Sequence, residues 1–358
     1  FNKSLKSLQS QTGWPVFADP LSGVDPNLPC LIRYWELLLS MKFPFLSNEF
    51  QILRLGPMPS SRILEEWLSN IKSNQLLITE GEVRPLDPLK ISCQISSGLE
   101  IWYEQFKSKD IALNLQKINN QKIKLLQQLT NFDYVINSWF TKHLKNSGPV
   151  SEPSLAHWLP KLLPTSLPIM LSASTPIRDW ITFSGTNALN NRCFGFRGAS
   201  GIDGTLSLAM GLSNVLGRLV LVCGDLSLIH DTNGWLFANS QSPPPPLIVL
   251  LIDNGGGGIF KQLGMDKLYR GDFEQLFLMP QSTNPISIAS AHQIPTRDVS
   301  LMEKLQDALE WALTFSSPVL IRVTTDSSND VLLRKNISYE LKKYITYMDN
   351  DSPNVVSQ

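Results

Sequence analysis

Asp225 closes the run RLVLVCGD, and Asn254 closes LIVLLIDN, which leads straight into four glycines at 255–258. Apolar runs of this length, rich in Val, Ile and Leu, read as buried strands. The segment between them is long enough for one crossover, so the strands run parallel and their carboxyl ends share an edge. Open α/β sheets bind ligands at that edge. A carboxylate, a side-chain amide oxygen and backbone carbonyls form a hard-oxygen donor set. That set suits Mg²⁺, which takes few protein ligands and completes its shell with phosphate. Glycines there let backbone approach a diphosphate with no Cβ in the way. Each feature has a plainer reading on its own: Asp225 and Asn254 as helix caps, the glycines as an irregular turn. Their coincidence at two strand ends favours a site.

Flanking elements must hold those strands. SLKSLQSQTG puts Leu5 and Leu8 on one face and stops at Gly13, a helix with its terminal glycine. WPVFADP then reads as a short strand, LIRYWELLLS as a helix, FQILRLG as a strand and SSRILEEWLSNIKS as a serine-capped helix. NQLLITEG and KISCQIS are further strands. This alternation predicts a parallel sheet covered on both faces. A Gln-, Lys- and Asn-rich stretch over 110–131 has helical spacing, and NSGPVSEPS (146–154) punctuates the boundary after it. The expected organisation is a central α/β domain over 1–125, a connector over 126–150 and a second α/β domain over 151–358. In the last, SLAHWLPKLLP, NGWLFANS and LMEKLQDALEWALTF read as helices, and LPIMLSAS and PVLIRVTTD as strands, the latter finishing the fold. IDGTLSLAMGLSNVL is a helix with Gly204, Leu208, Gly211 and Val215 along one side. Pro243–Pro246, directly before a buried strand, reads as a stiff connector. The fold class is α/β, with two doubly wound parallel-sheet domains.

Composition narrows the function classes. Lys plus Arg and Asp plus Glu both number 31, so no net charge marks the chain for nucleic acid or an anionic membrane. Charged residues make up only 17%, which leaves room for extensive buried or interface surface. No apolar run nears the ~20 residues of a membrane span. Cys30, Cys93, Cys193 and Cys223 lack CxxC spacing, which fits reduced thiols and a cytoplasmic location better than disulfides or zinc. No GxGxxG follows an early strand, against a nicotinamide-dependent dehydrogenase. His143, His157, His230 and His292 are unclustered and read as core or surface residues.

GDL at 224–226 with DN at 253–254 resembles the Gly-Asp-Gly…Asn-Asn signature of thiamin-diphosphate enzymes. Leu226 stands in place of the third glycine and Asp253 in place of the first asparagine. One branch commonly reads Gly-Asp-Leu-Ser: the 2-succinyl-5-enolpyruvyl-6-hydroxy-3-cyclohexene-1-carboxylate (SEPHCHC) synthases. FRGASGIDGTLSLAMG (196–211), GDLSLIHDTNG, NGGGGIF, FLMPQ (277–281) and STPIRD (174–179) fit that family in the same order. GWPVFADPLSG (13–23) is similar to its central domain. The resemblance implies that Asp225, Asn254 and the Gly256 carbonyl ligate Mg²⁺ (or Mn²⁺). It implies that Ser174, Gly201, Gly224 and Ser227 meet thiamin diphosphate, with Ile202 as the apolar prop that keeps the cofactor bent. Asp253 is expected to point away from the metal. Arg178, Arg197 and Phe260 are implied to face the substrates, and Arg62 to reach them from the central domain. Those substrates, 2-oxoglutarate and isochorismate, are dicarboxylates, which guanidinium forks pair bidentately.

The family's first domain binds the pyrimidine ring and carries an activating glutamate. Glu65, Glu66 and Glu274 show no matching context. The chain is therefore expected to be a piece lacking that domain, inactive alone. Its intact form would be a homodimeric or homotetrameric transferase of menaquinone and phylloquinone biosynthesis. The competing readings are a catalytically silent binding or assembly module that keeps the fold, and another thiamin-diphosphate decarboxylase or carboligase.

Overall fold

The computed structural model describes residues 1–41, 50–108, 120–196, 201–240, 243–268 and 271–350. They fall into two compact units divided between residues 137 and 138.

The first unit opens with α1 (Asn2–Thr12), β1 (Val16–Phe17), β2 (Leu31–Ile32) and α2 (Trp35–Ser40). It continues with β3 (Ile52–Leu55), α3 (Arg62–Asn70), β4 (Gln75–Ile78), β5 (Ser92–Ile95), α4 (Leu99–Ser108) and most of α5 (Asn120–His143). β1 and β2 pair in parallel, and β3-β4-β5 form a parallel three-stranded sheet. α1 ends at Gly13 in the left-handed conformation, and Ser61 Oγ caps α3 by accepting from Leu64 N. The single helix expected over LIRYWELLLS is instead a strand followed by a helix. Leu31 and Ile32 pair with Val16 and Phe17. The Asp133 carboxylate of α5 then accepts from the amides of Arg33 (2.8 Å) and Tyr34 (2.9 Å), fixing the turn into α2 from a hundred residues away. Of the helix expected near 110–131, residues 109–119 lie outside the described residues.

The second unit continues with α6 (Glu152–Leu162), β6 (Ile169–Leu171), α7 (Thr175–Phe183), β7 (Cys193–Gly195) and α8 (Thr205–Leu216). β8 (Leu219–Gly224), α9 (Asp225–His230), α10 (Leu236–Ser240) and β9 (Leu247–Asp253) follow. Two short helices, α11 (Ile259–Gln262) and α12 (Met265–Leu268), precede α13 (Pro285–Ala291), β10 (Thr296–Val299), α14 (Leu305–Leu313), β11 (Val319–Thr324) and α15 (Ser327–Asn350). The six strands form one sheet, ordered β10-β11-β9-β8-β6-β7, with every neighbouring pair parallel. Leu219, Leu221 and Cys223 of β8 share a core with Leu247, Val249 and Leu251 of β9, and with Leu206, Ala209 and Met210 of α8. The alternate residues Val220, Val222, Ile248, Leu250 and Ile252 are buried on the opposite face. Burial on both faces makes these strands continuously apolar, and each large side chain contributes roughly 1.5–3 kcal/mol.

Two features differ from the sequence reading. The fold does not finish at β11: α15 adds 24 residues. Its inward positions are Asp330, Arg334, Ile337, Leu341 and Ile345, and two charges among five break the apolar stripe that announces a helix. The short edge strands β7 and β10 are also additional. Gly204, at the start of α8, lies with Leu208, Gly211 and Val215 on one side, as expected, and that side faces solvent. Among the described residues no helix is long and apolar enough to cross a membrane, and the four cysteines are free thiols.

Candidate cofactor and metal site

Strand order reverses at β6: β7 lies on one side of it and β8 on the other. The carboxyl ends of β6 and β8 thus flank a topological switch point, the crevice where doubly wound sheets take ligands. Ser174 follows β6, Gly224 and Asp225 end β8, and Asn254 follows β9 in the adjoining position, with Gly224 registered against Ile252.

Asp225 is 6% exposed. Its Oδ1 accepts from Leu226 N and its Oδ2 from Gly256 N, both at 2.7 Å, which ties the two strand ends together. Burial raises its pKa, those two amides pull it back, and the nearby Asp253 charge pushes it up again. Asn254 donates through Nδ2 to Glu152 Oε1 at 2.6 Å, while its Oδ1 is buried with no hydrogen-bond partner. The Gly256 carbonyl accepts from Gly258 N at 2.8 Å and keeps a second lone pair. Burying a carboxylate and burying an amide oxygen without a donor are both costly, and a divalent cation would satisfy both. The donor set fits Mg²⁺. Among the described residues no group of three His, Cys, Asp or Glu offers an alternative metal site.

The glycine run serves a purpose beyond the one expected. Gly256 has φ 120°, and a Cβ there would stand 2.0 Å from Leu278 O. At Gly257 it would stand 2.1 Å from Phe277 O, and Gly257 N donates to Leu278 O at 2.6 Å. At Gly258 it would meet Asn254 Nδ2 at 2.9 Å. The room at 256–258 is thus filled by the protein's own chain, which corrects the expectation that these glycines clear space for a diphosphate. Gly224 is different: a Cβ there would meet nothing within 4 Å. A short helix, α11, opens directly after the run.

Ser174 has φ 77°, a strained conformation for a residue with a side chain, at the turn into α7. Arg178 is exposed and donates through Nη1 to Ser174 O at 2.7 Å. Ser227 is buried, its hydroxyl turned to Thr205 Oγ1 (2.9 Å) and Ile202 O (3.4 Å), and Thr205 Oγ1 also donates to Ile202 O at 3.0 Å. The carbonyl of Ile202 is thereby pinned to α8 and α9. Gly201 is exposed, with the Asp203 carboxylate against the space a Cβ would take. Phe260 packs edge-to-face on Phe277, with centroids 5.4 Å apart. Asp253 faces both ways: Oδ2 lies 3.7 Å from Arg322 Nη1, and the side chain also interacts with Asp225. Arg62 is the exposed first residue of α3, in the first unit. Arg197 lies outside the described residues.

Sequence reasoning missed a buried charge cluster behind Asn254. Glu152, 2% exposed, opens α6, and its Oε2 lies 3.1 Å from Arg334 Nη2. Arg334 also pairs with Asp179 of α7. The Asp330 carboxylate accepts from Glu152 N at 3.3 Å through both oxygens. Burial, then repulsion from Glu152, pushes the Asp330 pKa up to about 7; burial raises that of Asp179. The only signal was SEP at 151–153, which reads equally as a capped helix start.

Residues 179–323 match the thiamine pyrophosphate enzymes' C-terminal TPP-binding domain. The class is thereby defined: a thiamin-diphosphate enzyme's parallel α/β domain, with a mixed carboxylate–amide–carbonyl site at its strand ends. The chain is 48% identical over 349 residues to the SEPHCHC synthase of Prochlorococcus marinus (strain NATL1A), covering 97% of this chain and 58% of that protein. To the SEPHCHC synthase of Synechococcus sp. (strain CC9311) it is 46% identical over 346 residues, 96% of this chain and 59% of that protein. Nearly the whole chain is similar to SEPHCHC synthases, and it spans a little under three-fifths of the length of these curated relatives.

Proposed function

We propose that the protein containing this chain is a SEPHCHC synthase. It would use thiamin diphosphate and Mg²⁺ (or Mn²⁺) to decarboxylate 2-oxoglutarate and join the remaining four-carbon unit to isochorismate. One observation carries the reading: the buried Asn254 Oδ1 has no hydrogen-bond donor, beside the buried Asp225 carboxylate at the neighbouring strand end. When bound, the cofactor supplies the electron sink that decarboxylation and carbon–carbon bond formation require. The chain's own residues do the rest. Asp225, Asn254 and the Gly256 carbonyl hold the metal, and open Gly224 and the turn at Ser174 admit the diphosphate. Ile202, fixed through its carbonyl, props the ring system. Arg178 and Arg197 take the substrate carboxylates, which are bidentate partners for guanidinium, while Phe260 lines an apolar wall. The enzyme works in the cytoplasm as a homodimer or homotetramer. The exposed apolar residues Leu208, Val215, Leu216, Leu236 and Phe237 support that assembly.

Calorimetric titration of the full-length protein with thiamin diphosphate tests the reading. Wild type is expected to bind in Mg²⁺ and to lose binding in a chelator, and Asp225→Ala to lose it even with metal present. Binding indifferent to both changes would overturn the reading in favour of a fold-retaining module without catalysis.

A further inference from the structure

The amide of Asn254 has two ends, and only one can ligate a cation. Its environment decides which end faces the metal. Glu152 Oε1 accepts from the Asn254 amide NH₂ at 2.6 Å, which places the nitrogen on its side. Amide oxygen and nitrogen are otherwise hard to tell apart, but a carboxylate neighbour removes the ambiguity. Oδ1 is then forced to the opposite side, where it is buried without a partner. Gly258 completes the seat, because any Cβ there would stand 2.9 Å from Nδ2 and 3.1 Å from Cγ of the same amide.

Glu152 is itself immobilised. Ser151 caps α6 by accepting from Ser154 N at 3.2 Å, which fixes the helix start that presents Glu152. Arg334 holds Oε2, leaving Oε1 for Asn254, and Asp330 holds the Glu152 backbone amide. Asp179 anchors Arg334 from α7. Three helices therefore hold one glutamate, whose Oε1 is left to accept from a strand-end amide.

We propose that Glu152 is a positioning residue for the metal site: it locks the Asn254 amide with Oδ1 directed to the cation. The inference rests on the reading of Asn254 as a metal ligand. It names a residue outside the ligand set that would control metal affinity, as partners of ligating groups do in other metal sites.

The test is Mn²⁺ titration of the full-length protein in saturating thiamin diphosphate, read by electron paramagnetic resonance, with thermal unfolding measured alongside. Glu152→Met keeps the bulk and removes the acceptor, so Mn²⁺ affinity is expected to fall about 10–100-fold. Glu152→Gln loses the charge for Arg334 but retains an acceptor oxygen, so it is expected to unfold at lower temperature and yet hold Mn²⁺ within a few-fold of wild type. A purely structural role would lower the unfolding temperature of both variants and leave Mn²⁺ affinity alike in both; that result overturns the proposal. Should Glu152→Met not fold, Glu152→Asp decides, since it keeps the charge but withdraws the acceptor by a methylene. An unchanged affinity there overturns the proposal as well. Wild-type protein that binds no Mn²⁺ would instead sink the functional reading itself, which separates the two failures.

Discussion

Gly224 and Gly256 both end strands, yet they meet opposite demands. Gly256 combines φ 120° with a backbone oxygen 2.0 Å from any Cβ, so Gly256→Ala strains the backbone and forces the Leu278 segment away. Backbone strain and overpacking each cost about 1–3 kcal/mol, and urea unfolding of Gly256→Ala is expected to show a loss of about 3 kcal/mol. Gly224→Ala enters open space at φ −82° and is expected to leave the midpoint unchanged while weakening thiamin diphosphate binding. A stable Gly256→Ala would mean the 277–278 segment yields freely. At this scale the sequence was legible where chemistry coincided with a strand end, as at Asp225 and Asn254. Glu152 was not legible, because the partners that give it meaning, Asp330 and Arg334, lie 178 and 182 residues further along. Nothing local distinguishes it from an ordinary first-turn glutamate. The glycine run was misread for a related reason: the carbonyls it accommodates belong to a segment some twenty residues later, invisible to pattern.

Among elements, the packing of α6 on α7 is sealed by His157, which is fully buried. Its Nδ1 lies 3.0 Å from Phe183 O, a group that only accepts, so the proton sits there and Nε2 faces Lys161 Nζ at 2.8 Å. Burial, reinforced by the Lys161 charge, lowers its pKa from 6.5 to about 4. The unfolded chain therefore binds the proton first as pH falls. His157 contributes its full stability above pH 6.5, and that contribution drains away between pH 6.5 and 4, by about 3 kcal/mol in all. Other buried groups, Asp330 among them, drift oppositely over part of this range. The clean measurement is thus the difference between wild type and His157→Gln in denaturant unfolding. That difference is expected to shrink in wild type's disfavour from pH 6.5 to 4, and a flat difference would refute a neutral buried imidazole. Elements with uniform patterns, β8, β9 and the capped α3, were readable from residues alone. Elements whose ends are set from afar were not: Asp133 splits the expected helix after Ile32, and α15 hides behind its own buried charges.

For the molecule as a whole, the outward side of α8 is the conspicuous surface. Val215 is 81% exposed and Leu236, on the adjacent α10, 60%. Exposed apolar side chains on adjacent helices favour burial against another chain. Val215→Glu combined with Phe237→Glu is expected to reduce the sedimenting mass of the full-length protein without lowering its unfolding temperature, because both side chains already face water. An unchanged mass would place the assembly surface elsewhere. Parallel sheet and crossover order followed from the apolar runs; which face of α8 turns outward did not, since Leu206 and Met210 on the buried side and Leu208 and Val215 on the exposed side are alike apolar.

Arg334 and Asp330 come later in the chain than every strand of the six-stranded sheet. A ribosome making this protein therefore finishes Asp225, Asn254 and the glycine run well before it delivers the side chains that steady them. At that moment the sheet can assemble, but the Asn254 amide is still free to turn either end toward its surroundings. If Asn254 is a metal ligand as proposed, the site is expected to be completed by α15 rather than by the sheet that carries its ligands.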